Sequence, residues 1–257
     1  MKERIDILLV ERRLVDSRTK AQWLIKNGYV LVNKKQILKP SKRIENTHEI
    51  KLIKSFPYVG RGGLKLERAL KEFSIPIKGK ICVDIGTSVG GFTDCLIKHG
   101  ALRVYVIDTA TNLLHPSLQC EKMRINIIPL LGIDARNLIP IDEKIDICTI
   151  DVTFSSLRAI LPRVERILKK NGDIIALVKP IFETEFHKKN KFDVIQDPNQ
   201  LFQILSELIQ WIIENNFFLY GIINSPISKE FLIHLGMKKP SLIHDFNQLI
   251  KYILNEK

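Results

Sequence analysis

From residue 81 onward the chain repeats one pattern: a short apolar run, a polar turn, then a stretch whose apolar positions recur every three or four residues. The mostly apolar runs occupy 81–83, 104–107, 126–131, 145–151 and 173–178, the fourth ending in an acid. Strands covered by helices on both faces read as continuous runs of this kind rather than as alternation. Helical spacing fills 91–99, 157–168 and 201–214, and a further strand is expected over 217–223. Strands alternating with helices predict an α/β fold on a mainly parallel, doubly wound sheet.

The first quarter is patterned differently. Residues 4–14 space Ile5, Leu8 and Leu9 as one helical face, Ser17 suits an N-cap, and 18–27 turns Ala21, Leu24 and Ile25 inward. Gly28 fits a helix stop. Strands are expected over 29–33 and 49–53, with Lys34-Lys35 as a turn. Pro57, Gly60, Gly62 and Gly63 then break the pattern, so 56–63 reads as a linker between a small α+β domain (1–55) and a large domain (64–257) whose first helix covers 64–73.

Charge sharpens that division. The chain carries 40 Lys+Arg against 28 Asp+Glu, a formal +12, and the first 60 residues hold 14 Lys/Arg and 6 Asp/Glu, which is +8. A local excess of this size favours a polyanion, most often nucleic acid. Arg18, Lys20, Lys26, Lys34 and Lys35 form a candidate phosphate-binding surface beside the N-terminus of the second helix; the blander alternative is a solvated face. Arg61 and Lys65 stand near the start of the 64–73 helix, where cations oppose the dipole, which also suggests an anion nearby. The four cysteines make no C-x-x-C pair and the histidines add no ligand spacing, so no metal site is expected. With no signal segment and no apolar run near 20 residues, a soluble cytoplasmic protein without a membrane partner is expected.

The candidate chemistry centres on Ile81-Cys82-Val83-Asp84-Ile85-Gly86-Thr87-Ser88-Val89-Gly90-Gly91-Phe92-Thr93: a strand, an acid, a glycine turn and a helix start. The spacing is G-x-x-x-G-G, not the G-x-G-x-x-G of dinucleotide sites, and an acid at the mouth of the turn disfavours a pyrophosphate. A cationic, phosphate-free nucleoside such as S-adenosylmethionine (AdoMet) fits better. Asp108, ending the second strand, suits a ribose hydroxyl pair, and Asp134 could accept the adenine amine. Asp151 and Lys179 end neighbouring strands, Lys65 precedes the sheet and Glu230 follows it. Methylating a ribose hydroxyl requires alignment and removal of one poorly acidic proton. Two lysines balanced by two acids could supply this, although Lys179–Asp151 could equally be ordinary ion pairing.

Two resemblances give these patterns a family. Arg4-Ile5-Asp6, Ser17-Arg18, Ala21, Leu24-Ile25, Gly28 and Val30-x-Val32-Asn33 closely resemble the S-four-type RNA-binding domain. Arg61-Gly62-Gly63-Leu64-Lys65-Leu66, the glycine turn through Leu96, Asp151-Val152-Thr153-Phe154-Ser155-Ser156-Leu157 and Leu177-Val178-Lys179-Pro180-x-Phe182-Glu183 look like the TlyA (hemolysin A) family, across nearly the whole chain. The resemblance implies a Rossmann-like class I AdoMet-dependent methyltransferase behind a small α+β RNA-binding domain. It implies 2′-O-methylation of ribosomal RNA, with cytidine as the nucleoside and ribosomal subunits as partners. It also implies a Lys-Asp-Lys-Glu tetrad, matched by Lys65, Asp151 and Lys179 and, through a shortened loop, Glu230, with Lys179 as base. Asp84, Gly86, Gly90, Gly91, Phe92, Asp108 and Asp134 are then expected at AdoMet, and Arg4 and Arg61 join the RNA contacts. A lysine-rich stretch, 187–197, is expected as a lid. Thr87 and Val89 depart from the family's usual G-A-S-T-G-G-F turn, and the loop after Asp108 lacks its usual glycine and tyrosine. These departures motivate an alternative, a ribosome-binding or assembly factor with a decayed transferase site. A membrane-active hemolysin is the remote alternative, suggested by the family's older name.

Overall fold

A computed structural model of the chain describes residues 2–123, 125–138, 141–184, 195–227, 229–240 and 245–255. These fall into two compact units, Met1–Pro57 and Tyr58–Lys257.

The first unit comprises β1 (Lys2–Arg4), α1 (Ile5–Glu11), α2 (Arg18–Lys26), β2 (Val30–Val32), β3 (Lys35–Gln36), β4 (Arg43–Glu45) and β5 (Ile50–Leu52). Ile5, Leu8 and Leu9 of α1 meet Ala21, Leu24 and Ile25 of α2 in one core with Val30, Val32 and Ile44. Ser17 caps α2, its side chain accepting from Lys20 N–H at 3.4 Å. The hairpin turn is Asn33-Lys34, both at positive φ (47° and 66°), so Lys35 lies in β3 rather than in the turn. Primed turns need positive φ at two positions, a preference asparagine meets and lysine hides. Strand β4, which pairs with β1, is an addition to the expected elements.

The second unit comprises α3 (Gly62–Glu72), β6 (Ile81–Ile85), α4 (Gly91–Lys98), β7 (Arg103–Asp108), β8 (Ile127–Leu131), β9 (Ile145–Ile150), α5 (Leu157–Ile167), β10 (Leu168–Val178), α6 (Pro198–Glu214), β11 (Phe218–Asn224), β12 (Phe231–Gly236) and α7 (Phe246–Asn255). The sheet order is β11-β12-β10-β9-β6-β7-β8. From β10 to β8 the pairings are parallel, while β12 runs antiparallel to both its neighbours. The sheet is therefore mixed. The reversal matters for the site, because β12 begins at the edge where the parallel strands end.

Residues 58–63, expected as linker, are built into this unit. Val59 N–H donates to the Asp94 carboxylate at 2.8 Å. Gly62 and Gly63 open α3 and lie against Gly91 at the start of α4, where a Cβ on Gly91 would press on their backbone. These glycines serve helix packing rather than chain flexibility. Residues 187–194 of the expected lid lie outside the described residues.

Candidate active site

The carboxyl ends of the parallel strands form one edge, where ligands bind on open α/β sheets. Asp151 follows β9, Lys179 follows β10, and Glu230 immediately precedes the reversed β12. Lys65 comes from the first turn of α3. These four side chains, widely separated in sequence, line a single cleft of about 380 Å³ together with Arg61, Gly86, Gly91 and Phe92. Lys179 Nζ donates to Asp151 Oδ1 at 2.6 Å and to the Val152 carbonyl at 2.9 Å. Lys65 Nζ donates to Glu230 Oε2 at 2.7 Å. The tetrad is thus two ion pairs, each largely shielded from solvent.

A second cleft of about 390 Å³ adjoins the first and shares Gly86, Ser88, Asp151 and Thr153 with it. Its walls are Ile107, Leu113, Ile133, Ala135 and Val152, with Asp108 and Asp134 as carboxylates. Apolar walls with a few placed polar groups suit a nucleoside. Asp108 is fixed by two backbone donors, Ser88 N–H at 2.7 Å and Ala110 N–H at 2.9 Å. Asp134 accepts from Arg136 N–H at 2.9 Å and from its guanidinium at 3.0 Å, and these bonds hold its carboxyl below the usual range. An adenine amine at Asp134 would share that carboxylate with Arg136.

Asp84 is not at the mouth of the turn. Its side chain is fully buried and lines neither cleft. Thr87 Oγ1 and Thr93 Oγ1 reach its Oδ2 at 2.7 and 2.6 Å, and Thr149 Oγ1 reaches Oδ1 at 2.9 Å. Burial pushes its carboxyl above the ordinary value despite these bonds. The alternation of β6 turns Asp84 into the interior, so a charge argument made from position alone misplaced it. Gly86 (φ +81°) is required because a Cβ would fall on the Asp151 carbonyl, and Gly90 (φ +91°) because one would strike Leu114 and Leu118. Both shape the turn through protein contacts.

In the first unit, Arg18, Lys26, Lys34 and Lys35 are exposed. Arg4 and Arg18 both bond to the buried Asp6, Arg4 with two donors at 2.9 Å and Arg18 at 3.2 Å, and Gln22 adds a third partner at 2.9 Å. Lys20 departs from the expected open surface: it pairs with Asp16 at 2.6 Å and lies over the Phe56 ring.

Sequence reasoning gave no role to Ser88, the threonines around Asp84, Phe154 or Glu183. Phe154 is 57% exposed at the rim of the second cleft and sits at φ +66°, a left-handed conformation costing about 1–2 kcal/mol for a non-glycine residue. Its aromatic type was visible within the Asp151-Val152-Thr153-Phe154 motif, but its exposure was not. Among the described residues no His/Cys/Asp/Glu cluster is arranged for a metal ion. Cys82 and Cys95 are buried thiols pushed up to about 12 by desolvation, chemically quiet.

The sheet order and the reversed strand β12 define a Rossmann-like α/β fold of the methyltransferase class, with two lysine–carboxylate pairs beside an acid-lined cleft at the carboxyl edge. The FtsJ-like methyltransferase family model matches residues 58–231 and the S4 domain model residues 3–50. The chain belongs to the FtsJ-like methyltransferase family, in the branch that carries an S4 domain and the TlyA and hemolysin A names. It is 38% identical over 244 residues to Bacillus subtilis YqxC, provisionally named an rRNA methyltransferase, covering 91% of this chain and 85% of that one. It is 33% identical over 199 residues to the Mycobacterium tuberculosis 16S/23S rRNA (cytidine-2′-O)-methyltransferase TlyA, covering 76% of this chain and 73% of that one. A solved structure from Streptococcus thermophilus, provisionally labelled a hemolysin, superposes with a TM-score of 0.71 at 33% identity, covering 98% of this chain and 94% of that one. Methyltransferases of this kind use AdoMet in general.

Proposed function

We propose that the chain methylates ribose 2′-hydroxyls of ribosomal RNA, at cytidine, with AdoMet as donor. The observation that carries this is the convergence of Lys65, Asp151, Lys179 and Glu230 on one cleft beside the nucleoside-shaped cleft. The relatives' names supply the substrate class. RNA docking belongs to residues 1–55, methyl transfer to the chain from 64 onward, and a cytoplasmic location accords with a ribosomal substrate. Among the described residues no helix is long and apolar enough to cross a membrane, which leaves the hemolysin label without support from a helical span.

AdoMet, when bound, supplies a methyl group already activated by its sulfonium. The chain's task is to hold reactants in line and to take one proton. Asp108 would hold the ribose of the donor, the apolar walls would take its base, and the turn from Gly86 to Phe92 would hold its amino-acid end. Lys179 takes the proton from the substrate 2′-hydroxyl at Nζ. As a neutral amine Nζ donates its two N–H groups to Asp151 and the Val152 carbonyl, which leaves its lone pair for the substrate proton. Lys65 and Glu230 position the ribose across the cleft. Arg61, exposed at the same cleft, contacts RNA phosphate, and Phe154 offers a face for an unstacked base.

Calorimetric titration with AdoMet tests the reading. Binding is expected in the micromolar range, as is typical of working substrate affinities. Asp108→Ala should weaken it about 10–100-fold, the loss of a charged hydrogen-bonding partner. Lys179→Ala should bind AdoMet yet transfer no methyl group. Absence of AdoMet binding, with or without ribosomal RNA, would instead favour the decayed-site reading.

A further inference from the structure

Glu183 closes the Leu177-to-Glu183 motif, yet it lines neither cleft of the proposed transferase site. Its carboxylate is almost wholly buried, with a side-chain exposure of 2%. Oε1 accepts the Leu157 N–H at 2.8 Å, the first backbone donor of α5. Oε2 accepts the Ser156 hydroxyl at 2.6 Å and Arg158 Nη1 at 3.0 Å. Arg158 Nη1 also donates to the Glu183 carbonyl at 3.1 Å, and Ser156 Oγ, the N-cap of α5, accepts Arg158 N–H at 3.1 Å. A buried carboxylate satisfied by charged, hydroxyl and backbone donors is a firm, directional anchor.

The anchor joins two particular loops. One, 151–156, follows β9 and carries Asp151 and the strained Phe154; the other, 179–183, follows β10 and carries Lys179. They meet at three levels: the Lys179–Asp151 pair in the cleft, the Phe154–Phe182 ring contact at 5.4 Å on the rim, and the Glu183 cluster beneath. A left-handed phenylalanine does not hold its conformation unaided, so the surroundings must over-determine it. Glu183 fixes the far end of that loop.

We infer that Glu183 is a positioning residue for methyl transfer: with Ser156 and Arg158 it locks the two loops in the register that aligns Lys179 with Asp151 and presents Phe154 to the substrate nucleoside. The inference rests on the proposed transferase reading. It assigns Glu183 no contact with AdoMet or RNA.

The test uses the full-length protein, ribosomal RNA and AdoMet, measuring the single-turnover transfer rate, the AdoMet dissociation constant and the thermal midpoint for wild type, Glu183→Ala, Glu183→Gln and Ser156→Ala. Glu183→Ala should slow transfer about 100-fold, the scale of an ångström-sized misplacement of reacting groups. AdoMet affinity should fall by less than about tenfold, because Asp108 and the glycine turn do not touch Glu183. Glu183→Gln keeps an acceptor for Leu157 and should recover much of the rate, and Ser156→Ala should fall between. Wild-type rates in Glu183→Ala would overturn the inference. So would parallel losses of rate, AdoMet affinity and thermal midpoint, the mark of a purely structural residue. If Glu183→Ala does not fold, Ser156→Ala decides by the same criteria. A wild-type protein that transfers no methyl group would count against the transferase reading itself.

Discussion

Asp6 and Asp84 are both fully buried carboxylates, yet their surroundings bias them in opposite directions. The Arg4 guanidinium, helped by Gln22 and Arg18, holds Asp6 far below the usual carboxylate range. A depressed folded-state value contributes stability above the unfolded value, near pH 4, and that contribution is lost as pH falls through the folded one. Asp6→Ala should therefore cost about 2–3 kcal/mol at neutral pH, the worth of charge-assisted bonds, and the deficit should shrink on acidification. Desolvation raises Asp84 above its ordinary value, so the sign reverses: its penalty is absent below about pH 4 and grows as pH rises through the folded value. Melting curves from pH 3 to 8 check both. Asp84→Asn should gain on wild type as pH rises, and Asp6→Ala should lose. An Asp84→Asn deficit that deepens toward neutral pH would contradict the assignment. Sequence showed that position 84 is acidic; it did not show three threonines, 87, 93 and 149, converging from the turn, helix α4 and neighbouring strand β9.

Among the elements, the strand-to-helix turn is the most tightly specified. Gly86 holds φ +81° directly against the Asp151 carbonyl, and Gly91 packs on the Gly62-Gly63 backbone. Gly86→Ala should destabilise the second unit by about 2–4 kcal/mol, combining left-handed strain with a forced backbone shift. A thermal midpoint equal to wild type would show that the turn relaxes freely. The strands of this unit were legible because both-faces burial leaves mostly apolar runs beginning at 81, 104 and 145. The reversal of β12 was not, since strand direction depends on pairing with β10 and β11 and leaves no local mark. The glycines at 62 and 63 looked like a linker because close helix contact and chain flexibility call for the same residue. Lys20 looked like part of an open surface, although its i,i+4 spacing from Asp16 allows the ion pair, because nothing local foretells the Phe56 ring beneath it.

For the whole molecule, two units divide the work. The first concentrates +8 of the +12 formal charge within 60 residues, and electrostatic docking to RNA weakens steeply with salt. The second gathers its tetrad at one sheet edge by three routes: strand ends for Asp151 and Lys179, the reversed β12 for Glu230, and the packed start of α3 for Lys65. Motif resemblance singled out Lys65, Asp151 and Lys179, and Glu230 only by its place after a shortened loop; the pairing of Lys65 with Glu230 came from the topology. The most direct test of the account is to incubate ribosomal subunits with the protein and AdoMet carrying an isotopically labelled methyl group, digest the RNA to nucleosides and locate the label by mass spectrometry. Label confined to the ribose of cytidine, and absent with Lys179→Ala, is the predicted result. Label on a base, or undiminished transfer by Lys179→Ala, would contradict it.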